Sequence, residues 1–208
     1  MYHVLIVEDD PMARQLLEIY LDSSDRYHRV RSIEIASLAE FCCHTSSIDL
    51  ILMDVCTAMN TSGLDAAERI KAKFPDIKII IITSQPECSF LDRAHAAGVD
   101  SCWYKNSPAS EILDIMDRTM AGEHIYPESS PSLILGETSS EAFSARELEV
   151  LRELVAGKSD AEIAEKLYIA ISTVKFHVQS LKSKTGFRNR TELAVGARES
   201  GLIININK

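Results

Sequence analysis

Short apolar runs alternate with amphipathic stretches along the first 121 residues. Val4-Leu5-Ile6-Val7 is four apolar residues in a row, the pattern of a strand covered on both faces. Pro11 then suits a first helical turn, and Met12, Leu16, Leu17, Ile19 and Tyr20 recur behind it at helical spacing. The alternation continues with a weaker strand over Arg31–Ala36, a helix over Leu38–His44 and a strand at Leu50–Met53. A helix follows from Leu64 to Phe74, stopped by Pro75, and then a strand over Lys78–Thr83 with four consecutive isoleucines. A helix over Pro86–Ala97 closes at Gly98, a strand spans Ser101–Tyr104, and a helix over Pro108–Ala121 closes at Gly122. Strict alternation with short connections predicts an α/β fold: a doubly wound five-stranded parallel sheet with helices on both faces.

Glu123–Glu141 breaks this rhythm with Pro127, Pro131, Gly136 and several serines, and reads as a linker with room for a short ordered piece. Beyond it the pattern is helical only. Ser144 with Glu147, and Ser159 with Glu162, are spaced as capping boxes that open two helices. A third helix is expected over about 171–184, stopped by Gly186, and a fourth over about 190–200, stopped by Gly201. The chain therefore divides into a domain over 1–121, a linker over 122–142 and a small all-α domain over 143–208. The tail over 202–208 matches no element.

Composition adds bounds. The 208 residues are 46% hydrophobic and 25% charged, ordinary for a globular protein and unlike a disordered or low-complexity chain. No apolar run approaches the roughly 18 residues of a membrane helix. The N-terminus has no basic region or cleavage site, so the expectation is a cytoplasmic protein with no membrane partner. Five cysteines, Cys42, Cys43, Cys56, Cys88 and Cys102, lack metal-ligand spacing and read as reduced core residues. The net charge of −9 hides an asymmetry: residues 1–139 carry 22 acids and 11 bases, whereas residues 140–208 carry 9 acids and 11 bases. Lys175 to Arg190 holds Lys175, Lys182, Lys184, Arg188 and Arg190 and no acid, so the two halves suit different partners.

Ligands of a doubly wound sheet sit outside the carboxyl ends of its strands. Here those ends carry Glu8-Asp9-Asp10, Asp54, Thr83-Ser84 and Lys105. Any one of these is an ordinary loop residue, and acids also favour a helix N-terminus. Four such placements on successive strand ends point to a site. Clustered carboxylates suit a divalent cation with hard oxygen ligands, Mg2+ above all. Beside it Asp54 can act as a nucleophile toward a phosphoryl group whose oxygens Lys105 and Thr83 bind.

On these residues, 1 to about 121 resemble the receiver domain of bacterial two-component response regulators. Val4 to Pro11 matches the acidic-pocket segment, Leu50 to Asp54 the phosphoacceptor strand, Ile81 to Ser84 the switch-hydroxyl segment, and Lys105 the family's lysine. The resemblance implies that Asp54 takes phosphate from a sensor histidine kinase. It also implies that Asp9 holds Mg2+ directly, Glu8 holds it directly or through water, and the main-chain carbonyl of Cys56 is a further ligand beside Asp54. Three positions depart from the family pattern. The loop Val55 to Gly63 lacks the usual proline and has its glycine one position late, Cys102 stands where the family has a switch aromatic, and Asn106 follows the lysine in place of proline.

In the second domain, Ser159 to Leu167 is a short helix, Tyr168-Ile169-Ala170 a tight connection, and Ile171 to Lys184 a second helix. Val174, His177, Val178 and Leu181 form the inward stripe of that helix. Lys175, Gln179 and Lys182 face outward with Phe176 beside them. Lysines meet phosphates or guanine, glutamine pairs with adenine, and an apolar side chain touches a thymine methyl. A solvated helix face would look similar, but two short helices with a tight turn favour double-stranded DNA. Residues from Phe143 to about Gly201 resemble the LuxR/NarL-class helix-turn-helix, through Ser144 to Leu151, Gly157-Lys158-Ser159, Glu162-Ile163-Ala164, Thr173 to Val178 and Asn189 to Glu192. That resemblance implies Lys175, Phe176 and Gln179 as base readers, and Thr173, Lys182, Lys184 and Arg190 as phosphate contacts. Ala170 stands where the family often has a capping serine.

The reading is a NarL/FixJ-type transcriptional response regulator, switched by phosphorylation of Asp54, homodimeric when active and not chiefly an enzyme. A phosphohydrolase using Asp54 would need a second acid just after the nucleophile, and Val55-Cys56-Thr57 offers none. An alternative keeps the same DNA-binding domain under control of a partner or ligand without phosphate. The small Cys102 predicts a weak switch, with a phosphorylation effect on DNA affinity of about tenfold or less. In the competing view, Trp103 or Tyr104 takes over the aromatic role.

Overall fold

The computed structural model describes residues 1–83, 90–105, 111–127 and 132–203. Cys88, Ser84, Asn106, the starts of the helices expected from Pro86 and Pro108, and the tail from residue 204 lie outside the described residues. The chain divides into two compact units, one containing the described strands and helices before Pro127 and the other those from Ser132 onward.

The first unit runs β1 (Tyr2–Val7), α1 (Pro11–Asp22), β2 (Tyr27–Ile33), α2 (Ala39–Thr45), β3 (Leu50–Asp54), β4 (Cys56–Thr57), β5 (Thr61–Ser62), α3 (Gly63–Lys73), β6 (Lys78–Thr83), α4 (Phe90–Ala96), β7 (Ser101–Tyr104) and α5 (Glu111–Met120). Its main sheet has five parallel strands in the order β2-β1-β3-β6-β7. Central strands are buried on both faces, which is why they read as unbroken apolar runs. One face, through Val4, Ile6, Leu50, Leu52, Ile80, Ile82 and Trp103, packs with Leu17 and Leu21 of α1 and Ile112, Ile115 and Met116 of α5.

Two expectations need correction. The second strand covers Tyr27–Ile33, not Arg31–Ala36. It is an edge strand with half-exposed polar positions, so no apolar run marks it. On α1 the buried residues are Leu17 and Leu21, whereas Met12, Leu16 and Ile19 are exposed. The loop after Asp54 is an ordered antiparallel hairpin, β4 with β5. Thr57 Oγ1 and Thr61 Oγ1 lie 2.6 Å apart and both accept from the Ala36 amide. Met59 at its tip takes a left-handed backbone, φ 58°, and so absorbs the extra residue that delays Gly63. Gly63 follows directly: a Cβ there would lie 1.9 Å from the Asp54 carbonyl oxygen, so only glycine lets α3 start this close to the acceptor strand.

The second unit opens with a small hairpin, β8 (Ile134–Leu135) with β9 (Thr138–Ser139), followed by α6 (Ala145–Val155), α7 (Asp160–Leu167), α8 (Ile171–Thr185) and α9 (Arg190–Glu199). Both expected capping boxes form, at Ser144 with Glu147 and at Ser159 with Glu162. Leu135, Leu148, Leu151, Leu154, Ile163, Val174, Leu181 and Leu193 close one core. Leu135 of the hairpin thus packs with the helices rather than standing in a free connection. Among the described residues no helix is long and apolar enough to cross a membrane.

Candidate functional site

The ladder sets the first site. Val7 pairs with Met53, so Glu8 and Asp54 leave adjacent strands at the same level. Thr83 pairs with Tyr104 one strand further, and the Lys105 amide donates to the Thr83 carbonyl at 2.9 Å. Lys105 then reaches back with its ammonium 2.7 Å from Glu8 Oε2 and 3.2 Å from Asp54 Oδ2. Asp54 Oδ1 accepts from the Val55 amide at 2.8 Å. Glu8, Asp54 and Thr83 are buried, and Asp9 is half-buried. Asp10, the third acid of the triplet, is exposed and serves instead as N-cap of α1, accepting from the Ala13 amide at 2.8 Å.

Burial dominates the electrostatics of this pocket. It pushes the Asp54 carboxyl up to about 7, with the Glu8 charge adding to the rise and Lys105 opposing it. Glu8 is likewise raised, first by burial. Burial would lower Lys105, but the charges of Asp54 and Glu8 override it and raise the ammonium. Glu8, Asp9 and Asp54 each present an oxygen within 4.8 Å of the others. Fully ionised, the three carboxylates would outnumber the one ammonium by two negative charges, a set of hard oxygens that fits Mg2+. The Val55 carbonyl is already taken by the Gly63 amide at 2.9 Å. Cys56 opens β4 with a half-buried side chain.

Among the described residues the other cysteines are packing residues. Cys42, Cys43 and Cys102 are buried, and burial pushes the Cys43 and Cys102 thiols up to about 11 and about 12. Trp103 turns into the α1 and α5 side of the sheet, so Cys102 faces the opposite side by strand alternation.

In the second unit α7 and α8 meet at Tyr168, which ends α7 in a left-handed conformation and is 95% exposed. Ala170 caps α8 without a side-chain bond, as its alanine implies. Val174 and Leu181 are fully buried, while His177 and Val178 are half-buried. Lys175, Phe176 and Gln179 share the exposed face, with Phe176 70% exposed, and Lys182 sits beside Gln179 at 3.4 Å. Thr173 is half-buried in the first turn. Lys184 and Arg190 stand differently. The Lys184 ammonium lies 2.7 Å from Glu147 Oε2 and 2.8 Å from the Ala142 carbonyl. Arg190 lies 2.6 Å from Asp160 and also donates to the Lys158 carbonyl. Burial alone would raise Glu147, but bonds from Lys184, Ser144 and Ser180 hold it at about 2.

Residues 4–117 match the response regulator receiver domain family, and residues 141–197 match the luxR family of bacterial regulatory proteins. The chain is a response regulator. It is 32% identical to the response regulator protein VraR of Staphylococcus epidermidis over 96% of this chain and 98% of that one. Among solved structures it resembles the response regulator ChrA of a heme-sensing two-component system, at 27% identity, TM-score 0.51, and coverage of 97% and 98%. RcsB of Salmonella enterica serovar Typhimurium, solved bound to a promoter with a phosphomimetic, shares the fold at 20% identity, TM-score 0.63, and coverage of 97% and 98%.

The regulator also carries outward residues that the pattern of α8 does not mark by charge. Ile171 and Ser172 are exposed at the start of α8, four positions before Lys175 and Phe176. The i, i+4 spacing was the available signal.

The raised pKa of Asp54 has a consequence for stability. The fold favours the protonated carboxyl, so its contribution is full below the ordinary value near 3.8 and is lost as pH rises toward about 7. In Mg2+-free buffer the first unit of the regulator loses stability between about pH 4 and 7, on the order of 3 kcal/mol from this group. Urea unfolding of Asp54→Asn beside the parent checks it. The variant gains relative to the parent as pH rises, and parallel pH profiles contradict the assignment.

Proposed function

We propose that this regulator is a DNA-binding transcription factor switched by phosphoryl transfer from a sensor histidine kinase to Asp54. The observation that supports it is the convergence of Glu8, Asp9, Asp54, Thr83 and Lys105 at one sheet edge, on a chain whose second unit exposes an acid-free helix face. In the transfer, an Asp54 carboxylate oxygen attacks phosphorus, the phosphorus–nitrogen bond to the donor histidine breaks, and an acyl phosphate forms. Lys105, freed in part from Asp54, pairs with a phosphoryl oxygen, and the Thr83 hydroxyl binds another. Glu8, Asp9, Asp54 and the Cys56 carbonyl would hold Mg2+, which would supply charge neutralisation for the phosphoryl group. The protein works in the cytoplasm as a homodimer on two half-sites about one helical turn apart, and its role is regulatory rather than enzymatic.

On DNA, Lys175, Phe176 and Gln179 read bases, and Thr173 and Lys182 hold phosphates. Lys184 and Arg190, the other implied phosphate contacts, also bind Glu147 and Asp160, so they meet phosphate only in competition with those carboxylates.

Acetyl phosphate with Mg2+ should add one phosphoryl mass to the parent and none to Asp54→Ala, and Asp9→Ala should weaken Mg2+ binding. Intact-mass measurement decides it, and an adduct on the Asp54→Ala chain would remove Asp54 as acceptor. A parent that takes no phosphoryl group yet binds DNA would favour control by a partner or ligand.

For the interface, Lys182→Ala should weaken all duplexes alike and reduce the salt slope by about 1, whereas Gln179→Ala should relax preference at one base position. Binding isotherms on specific and random duplexes at several salt concentrations measure both. Equal loss on the two duplexes for Gln179→Ala excludes it as a reader.

A further inference from the structure

Strand β7 lies at the edge of the main sheet, where its outer backbone groups need partners. The chain just beyond α5 supplies them. The Cys102 amide donates to the Ile125 carbonyl at 2.8 Å, and the Ile125 amide donates to Ser101 Oγ at 3.1 Å. His124 Nδ1 lies 3.0 Å from the Asp100 carbonyl, and the Tyr126 hydroxyl donates to the Val99 carbonyl. Consecutive side chains then diverge. Ile125 packs on the core shared with α1 and α5, whereas the Tyr126 ring stacks on His95 of α4 with centroids 3.8 Å apart and planes 20° apart. Residues 123–126 therefore form a strap across the sheet edge, clamped by α4 on one side. Burial raises the Tyr126 phenol further above neutrality, so it remains a donor.

The strap sits close to the acceptor pocket along the chain. Cys102, which holds Ile125, is three residues before Lys105, whose ammonium contacts Asp54 and Glu8. A shift of Lys105 toward a phosphoryl group pulls on the same short strand that holds the strap. Reach changes as well. From Tyr126 to Ser132 the chain can extend at most about 20 Å, and from Gly122 about 35 Å once the strap is released. A docked strap thus restricts where the DNA-binding unit can go.

We propose that Tyr126, stacked on His95 and bonded to the Val99 carbonyl, is a positioning residue that holds the linker strap on β7 and α4 and thereby restrains DNA binding by the unphosphorylated regulator. The Tyr126 ring belongs to the linker, so a switch that acts through β7 would act directly on the segment leading to the DNA-binding unit. This deepens the phosphorylation reading and rests on it for the trigger, but the restraint itself belongs to the unphosphorylated chain.

The test uses full-length protein and a duplex selected from a random-sequence library by the parent. Tyr126→Ala and His95→Ala should each speed amide exchange in the peptide over Ser101–Lys105 and raise DNA affinity without phosphodonor, by about three- to tenfold. Tyr126→Phe, which keeps the stack, should stay within about twofold of the parent. Faster exchange with unchanged or weaker DNA binding in both alanine variants overturns the restraint, and unchanged exchange in both overturns the clamp. A parallel arm adds beryllofluoride and Mg2+. A parent that ignores the mimic while Tyr126→Ala still binds more tightly leaves the strap standing and removes only the phosphorylation trigger.

Discussion

The ammonium of Lys105, held between the buried carboxylates of Glu8 and Asp54, is the interaction around which the first unit is organised. Burying three charges is costly unless each has a close partner, and removing one partner leaves the others uncompensated. The three groups come from the ends of β1, β3 and β7, so they meet only if the sheet order and register are correct. Gly63 belongs to the same constraint, because α3 must start against the Asp54 carbonyl for the acceptor loop to close. In the proposed function a phosphoryl group on Asp54 would redirect Lys105 and act through β7 on the residues bonded to that strand.

The second unit has a parallel device of different purpose. Glu147 begins as the capping partner of Ser144 and also accepts from Ser180 and Lys184 of α8. One carboxylate thus ties the start of α6 to α8, the helix that exposes Lys175, Phe176 and Gln179. It occupies Lys184 in doing so. Arg190 is occupied in the same way by Asp160 at the start of α7. Basic residues near a DNA-binding face are not all there for phosphate.

The strands that end in chemistry were legible because central parallel strands are continuous apolar runs and their next residues are the site: Val7 before Glu8, Met53 before Asp54, Tyr104 before Lys105. The capping boxes were legible because they are local. What stayed hidden depends on tertiary partners. Tyr27–Ile33 has a polar edge-strand pattern, two-residue strands such as β4 and β5 carry no periodicity, and the inward side of α1 is set by the sheet beneath it rather than by its richest apolar stripe. The partners of Lys184, Arg190 and Tyr126 are 30 or more residues away along the chain, at Glu147, Asp160 and His95. Trp103 contributes to the core on the α1 and α5 side, so the aromatic next to the missing switch residue cannot simply stand in for it.

The contacts that distinguish a docked from a released strap are one aromatic stack and a few hydrogen bonds, worth about 0.5–1.5 kcal/mol for the stack and a similar net amount for each bond. Ordering the strap residues costs about 1–2 kcal/mol each and offsets most of this, so the difference available to the switch is on the order of 1.4 kcal/mol, or about tenfold in affinity. The direct test is the ratio of DNA affinities of the full-length regulator with and without beryllofluoride and Mg2+, measured on one duplex at fixed salt, with Asp54→Ala as the control. The account predicts tighter binding with the mimic by about tenfold or less, and a ratio near one for Asp54→Ala. A hundredfold or greater activation, or the same response in Asp54→Ala, would contradict it.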